Sequence, residues 1–419
     1  MGSTIAEKII ARHCGRETVE PGEMVTASVD LVMGTDIASP LAIKVFGDMK
    51  AEKVWDPSRI ALVNDHFVPA KDVRAAEFGR QLREFAKKYG IKNYFEVGRS
   101  GICHVIVPEK GLVVPGDLVI GADSHTCTYG ALAAFSTGVG STDMAAGCAL
   151  GEAWLKVPET IRIIYTGKLG PWIVGKDIIL HTLTRLGVRG AVYQCIEYAG
   201  EVVENLPMSD RFTMANMAIE MGAKAGVIEA DEVTAEWLEG RTDRPFDMIG
   251  SDPDATFVDE VYIDCSDLEL MVAVPHLPSN VKPVTELEPT PVDEVFIGTC
   301  TNGRIEDFRI AADIIKGKKV ADGTRLIIIP GSSGVMLDMA KEGLIEIFID
   351  AGGAVCTPTC GPCIGGHMGV LGKNEVGLFT SNRNFVGRCG DSSSKVYLSG
   401  PAVAAATAVT GIITHPDEL

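Results

Sequence analysis

The feature that most constrains this chain is an alternation of short apolar runs, polar glycine-bearing loops and helical stretches, clearest toward the C-terminus. Residues 293–298 read as a strand and 299–303 as a loop. From Arg304 to Lys316 a helix is expected, with Ile305, Phe308, Ala312 and Ile315 on one face. Gly317 stops it, and residues 325–330 form a second apolar strand. Strand, helix and strand at this spacing make a parallel βαβ unit, whose strands are apolar because both faces are covered. Further strands are expected at residues 345–350, just before a run of cysteines, and at residues 376–380.

The N-terminal part is written in the same style. An amphipathic, capped helix opens the chain. Ile60–Val63 leads into Asn64-Asp65-His66, and Leu118–Gly121 leads into Ala122-Asp123-Ser124-His125-Thr126. From Ser141, the residues Met144, Cys148, Gly151 and Leu155 fall on one helical stripe. At 419 residues the chain exceeds the roughly 250–300 at which one core stops growing, so two or three domains are expected. Boundaries are placed near residues 157–159 and in the proline-rich stretch 275–291. That gives α/β domains at 1–158, 159–283 and 284–419.

Composition removes several classes of function. The net charge is −18, with no basic patch to neutralise phosphates, which argues against nucleic acid as a partner. No apolar run approaches a membrane span, and the N-terminus lacks the apolar core of a secretory signal. A cytoplasmic protein without membrane association is expected. Eleven cysteines, an odd number, do not read as a disulfide framework there.

The chemically capable residues share one topological place. Asp65-His66, Asp123-Ser124-His125, Thr299-Cys300-Thr301-Asn302 and Asn382-Arg383 each follow directly on an apolar strand, and the cysteine run begins a few residues after another. In parallel α/β sheets, ligands bind outside the carboxyl ends of the strands. A shared active site at those ends is the expectation. Taken singly, Asp65-His66 also reads as a surface turn, the Asp123 loop as a helix cap, and His104 as a core histidine.

The cysteines near the C-terminus read as metal ligands. Cys360-Gly361-Pro362-Cys363 is a C-x-x-C pair, and thiolates at that spacing can hold adjacent corners of an iron–sulfur cluster. Zinc is disfavoured because no second C-x-x-C or nearby C-x-x-H completes four ligands. A dithiol redox site would want the pair to open a helix, and Ile364-Gly365-Gly366-His367 is a poor helix start. Two three-cysteine sets remain. Cys356, Cys360 and Cys363 have the spacing of radical S-adenosylmethionine enzymes, which normally carry it near the start of a barrel. Cys300 with Cys360 and Cys363 joins two strand ends of one sheet and is favoured. Three thiolates leave one iron without a protein ligand, free to act as a Lewis acid.

At these residues the sequence resembles the aconitase superfamily, and within it the archaeal-type large subunits of isopropylmalate isomerases and homoaconitases. The resemblance rests on residues 297–303 (IGTCTNG), 360–366 (CGPCIGG), 382–388 (NRNFVGR), 119–126 (VIGADSHT) and Asn64-Asp65-His66. Gly101-Ile102-Cys103-His104 and Ile196-Glu197-Tyr198 complete a set spanning most of the chain. It implies three aconitase-like α/β domains around a 4Fe–4S cluster held by Cys300, Cys360 and Cys363, with one iron open to substrate. It implies that His66, oriented by Asp65, protonates the departing hydroxyl, and that Asp123, His125, His104 and Glu197 hydrogen-bond the hydroxyl and water. Ser124, Asn302 and Asn382 would contact substrate or cluster, and Arg383 and Arg388 would bind carboxylates. Residues 31–36 do not follow the family pattern, and no contact is assigned to them.

The resemblance implies a hydro-lyase that moves a hydroxyl between neighbouring carbons of a hydroxy-carboxylate. In the isopropylmalate case this is a step of leucine biosynthesis; homocitrate-type substrates are the alternative, and a phosphomevalonate-type dehydratase is more distant. Full-length relatives carry a fourth, swivelling domain that supplies the proton-abstracting base. No such domain is expected within these residues, and a small subunit is expected to bring it, in a heterodimer or heterotetramer. A cluster-dependent regulatory or RNA-binding protein is the alternative of another class, and the charge of −18 argues against it.

Overall fold

Short runs rich in Val, Ile and Leu form strands here because helices cover both of their faces. Every residue of Ile60–Val63, Leu118–Gly121 and Glu294–Gly298 is buried. The computed structural model describes residues 2–419, which build three large sheets and one small ribbon. The first sheet is parallel, in the order Asn93–Phe95, Ile60–Val63, Leu31–Thr35, Leu118–Gly121, Phe135–Gly138. The second is a parallel sheet of Ala225–Ile228, Cys195–Ala199, Thr160–Thr166 and Asp259–Asp264.

The third sheet has seven strands. Lys395–Leu398, Val376–Phe379, Glu294–Gly298, Arg325–Ile329 and Ala354–Val355 run parallel, and Met271–Ala273 and Val281–Pro283 extend one edge antiparallel. The ribbon pairs Met24–Ser28 with Glu152–Lys156. No helix among the described residues is long and apolar enough to cross a membrane.

The sheets meet closely. The 3-10 stretch Ser124–Leu132, which follows a strand of the first sheet, lies against the second, where a Cβ at Gly130 would stand 1.8 Å from the Gly226 carbonyl oxygen. The helix Met208–Asn216 bridges from there to the third sheet, and the Thr213 hydroxyl donates to the Thr301 carbonyl at 2.7 Å. The strand ends of different sheets therefore face a common centre.

Several expectations need correction. Residues 345–350 are not a strand: Leu344–Ala351 is a helix, burying Leu344, Phe348 and Ala351. Its apolar run is continuous enough to fit either period, and the amphipathic packing decides for the helix. The strand before the cysteines is the short Ala354–Val355. The helix from Ser141 ends at Leu150, where Gly151 adopts φ 71°, so Leu155 belongs to the ribbon rather than to the helical stripe. Residues 299–303 are a loop only in part, since Thr299–Asn302 makes one helical turn. The opening helix, Ile5–His13, is capped by Thr4 and Glu7 as its sequence implies.

Candidate active site

Seven chain segments close a cavity of about 420 Å³ at the carboxyl ends of the first and third sheets. Asp65, His66, His104, Asp123, Ser124, His125, Cys300, Cys360, Cys363, Asn382, Arg383 and Arg388 all line it. A larger cleft of about 680 Å³ adjoins it through Asp123 and Ser124, but its other walls are mainly apolar and small residues. The concentration of ionisable groups singles out the smaller cavity.

The Asp65-His66 loop leaves Ile60–Val63 and is fixed from below by a residue with no assigned role in the sequence. Asp36, just past Leu31–Thr35, accepts from the His66 N–H at 3.0 Å and the Phe67 N–H at 2.9 Å. His66 Nδ1 lies 2.6 Å from Asp65 Oδ1 and 3.4 Å from Asp36 Oδ1. Burial opposes a charge on this imidazole, but the two carboxylates outweigh it and hold His66 well above the usual histidine range. The second Asp65 oxygen accepts from the Cys103 N–H at 2.8 Å, and the Asp65 carbonyl accepts from the Cys360 N–H at 2.7 Å. One residue thus touches the histidine, the His104 helix and the cysteine segment.

Asp123 is the centre of a second group. Its Oδ1 lies 2.8 Å from His104 Nε2 and accepts from the His125 N–H at 2.8 Å, while Oδ2 stands 3.7 Å from His66 Nε2. Burial would raise this carboxyl, yet His104 and His125 hold it well below the usual range, so it is ionised. His125 Nε2 is 2.9 Å from Glu220 Oε1. Arg383 donates from Nε to Glu220 at 2.8 Å and from Nη1 to the Ser124 hydroxyl at 3.0 Å. Arg388 donates from Nε to the Cys363 carbonyl at 3.0 Å. Both guanidinium groups line the cavity.

Two residues expected at the site do not line the cavity. Glu197 sits within Cys195–Ala199 in a separate cleft, where it accepts from the Ser251 hydroxyl at 2.5 Å and faces Arg162 at 3.4 Å. The carboxylate beside His125 is Glu220. It lies in the short turn Met217–Met221, and no spacing in the sequence marks it. Asn302 is buried but donates to Asp307 Oδ1 at 2.9 Å, supporting the start of the helix Ile305–Ile315.

The three cysteines arrive from two strand ends. Cys300 lies in the turn directly after Glu294–Gly298, while Cys360 caps the turn Gly361–Ile364 and Cys363 lies within it. Asn382 joins them: its Nδ2 is 3.4 Å from Cys300 Sγ, and its Oδ1 accepts from Cys363 Sγ at 3.7 Å. Asn216 Oδ1 holds the Asn382 amide at 2.9 Å. A hydrogen bond from the Cys360 thiol, aided by Arg388, His125 and Arg383, outweighs burial and brings Cys363 down to about 6. The same hydrogen bond, with burial, pushes Cys360 well up, and burial pushes Cys300 up to about 12. Cys356 stays half-buried outside the cavity.

Fold and site together define an ionisable centre of thiols, imidazoles, carboxylates and guanidinium groups at parallel strand ends, and comparison with known proteins gives its family. The aconitase family (aconitate hydratase) matches residues 7–292 and 280–411, and the chain belongs to that family. It is 58% identical over 419 residues, 100% of both chains, to a protein named 3-isopropylmalate dehydratase large subunit from Thermodesulfovibrio yellowstonii. It is 57% identical, again over 100% of both, to a protein of the same name from Moorella thermoacetica. The crystal structure of Thermococcus kodakaraensis aconitase X in its holo-form superposes with a TM-score of 0.50 at 14% identity. It covers 86% of this chain and 84% of that one, and shows the shared fold.

The family implies an iron–sulfur cluster, and the donor set fits one. Three buried thiols face one cavity. They do not all come within 4.8 Å of one another, as the ligands of a single zinc ion would. Among the described residues the one such close group is Asp36, Asp65 and His66, which is hydrogen-bonded internally.

Proposed function

We propose that this chain is the large, cluster-carrying subunit of a 3-isopropylmalate dehydratase, a hydro-lyase that interconverts 2-isopropylmalate and 3-isopropylmalate by dehydration and rehydration in leucine biosynthesis. The observation that carries the reading is the convergence, in one cavity, of Cys300, Cys360 and Cys363 with the Asp65–His66 pair and two arginines. End-to-end identity to proteins named as that subunit supports the choice of substrate.

Cys300, Cys360 and Cys363 would hold a 4Fe–4S cluster whose fourth iron, lacking a protein ligand, supplies Lewis-acid chemistry to a hydroxyl or carboxylate. The protein's own groups do the rest. His66 carries its proton because Asp65 and Asp36 stabilise the imidazolium, and its Nε2 faces the cavity to deliver that proton to the departing hydroxyl. Asp123, ionised, accepts a hydrogen bond from the hydroxyl or the water that returns. His104 and His125 fix its orientation. Arg383 and Arg388 bind substrate carboxylates, and Glu220 sets the plane of Arg383.

The base that abstracts the carbon-bound proton comes from a small partner subunit, in a heterodimer or heterotetramer. Both relatives are named as a large subunit, which supports a partner. The test is anaerobic co-purification with that subunit and turnover of isopropylmalate against homocitrate. Turnover of isopropylmalate is expected. A complex that holds its cluster yet turns over no 2-hydroxy-carboxylate would remove this function.

A further inference from the structure

Lys176 is fully buried at the first turn of the helix Gly175–Leu186. Its Nζ donates to Thr301 Oγ1 at 3.2 Å, to the Thr380 carbonyl at 3.0 Å and to the Ser381 carbonyl at 2.8 Å. Its three hydrogen-bond acceptors are all uncharged, and among the described residues it forms no ion pair with a carboxylate. Its neighbour Asp177 is turned away, accepting from the Met271 and Val174 N–H groups. A buried ammonium without a counter-ion is costly, and a cation in the first turn also opposes its own helix dipole. Burial accordingly pushes Lys176 down to about 8, against a pull from Cys300, Asp307 and Cys363.

The three acceptors have a common address. Thr301 follows Cys300, and Thr380 and Ser381 precede Asn382, the residue that contacts both Cys300 and Cys363. Lys176 therefore ties the two strand ends that present those residues. Arg304 repeats the pattern from the other side, donating to the Cys300 carbonyl at 2.9 Å and the His104 carbonyl at 3.2 Å, likewise without a carboxylate partner.

We propose that Lys176 is a positioning residue whose counter-ion is the thiolate-bound cluster itself: it straps the Cys300 and Asn382 loops together and supplies the positive charge that balances an anionic cluster in a buried site. This rests on the function proposed above. A missing positive charge close to a cluster lowers its reduction potential and weakens retention of its iron.

The test loads the full chain anaerobically with iron and sulfide and compares it with Lys176→Gln, neutral but able to donate, and Lys176→Arg, still charged. Lys176→Gln is expected to lose iron to a chelator several-fold faster, with its midpoint potential shifted negative, and Lys176→Arg to restore both. Wild-type iron retention and an unshifted potential in Lys176→Gln overturn the assignment. Failure of Lys176→Arg to restore them overturns it too, since charge is then not the cause. If cluster-free Lys176→Gln fails to fold where the cluster-free wild type folds, the lysine is a hydrogen-bonded prop and the proposal falls. A wild-type chain that takes up no cluster overturns both this assignment and the function on which it rests.

Discussion

His125 Nε2 lies 2.9 Å from Glu220 Oε1, a pairing between residues 95 positions apart that also brings Arg383 Nε to 2.8 Å from the same oxygen. Glu220 is almost fully buried. Burial would raise it, but His125 and Arg383 hold it below the usual carboxylate range. Its charge is what orients two groups of the cavity.

Glu220→Gln is therefore expected to lower kcat/KM for the assembled enzyme by about 10–100-fold, as loss of an orienting partner does. Glu197→Gln, in its separate cleft, is expected to stay within about twofold of wild type. Steady-state kinetics on both variants decide it. A large loss in Glu197→Gln with Glu220→Gln unaffected would reverse the assignment.

The three-cysteine set makes a separable prediction. Cys300→Ala should abolish cluster assembly, because Cys300 lines the cavity beside Asn382. Cys356→Ala should leave assembly intact, since its thiol lies outside. Iron and sulfide analysis after anaerobic reconstitution checks both, and the reverse result would move the cluster onto the compact run.

The acid role proposed for His66 requires its protonated form, and Asp65 is the largest favourable influence keeping it so. Activity is expected to fall as pH rises through the raised imidazole pKa. In Asp65→Asn that alkaline limb should move to lower pH, and kcat should drop by about 10²–10⁴-fold. A pH–rate profile measures both. An alkaline limb that stays put would take Asp65 out of the role.

Glu294 is a carboxyl whose burial, despite Arg325, raises it to about 7. Its Oε1 has no hydrogen-bond partner. A raised carboxyl makes the folded protein bind more protons than the unfolded chain, so stability is lost as pH rises from about 4.3 toward 7 and stays lower above it. Glu294→Gln should be near neutral at pH 5 and stabilise by about 1–2 kcal/mol at pH 8. Urea unfolding of the cluster-free chain at the two pH values tests the sign.

Gly130 is a packing position rather than a flexible one. A methyl there would meet the Gly226 carbonyl oxygen at 1.8 Å, at the seam between the first two sheets. Gly130→Ala is expected to cost about 1–3 kcal/mol, read as a fall in the unfolding midpoint. An unchanged midpoint would show that the seam can relax.

The strands Ile60–Val63, Leu118–Gly121 and Glu294–Gly298, and the polar loops after them, were legible in the sequence because a short apolar run broken by glycine has few other readings. The helix Leu344–Ala351 was not, because its apolar run suits either period until its neighbours cover one face. The motifs by themselves determined the family and marked the cysteines and the Asp65–His66 pair as candidates, since these are local patterns. Only the tertiary structure decided that Glu220 and Asp36 stand in the cavity's hydrogen-bond network, that Glu197 does not, and that Lys176 lies without a carboxylate partner behind the cysteine loops. A carboxylate or an ammonium has no sequence period. Its role is set by which buried charge it meets, and that is a property of three chain segments meeting rather than of any one.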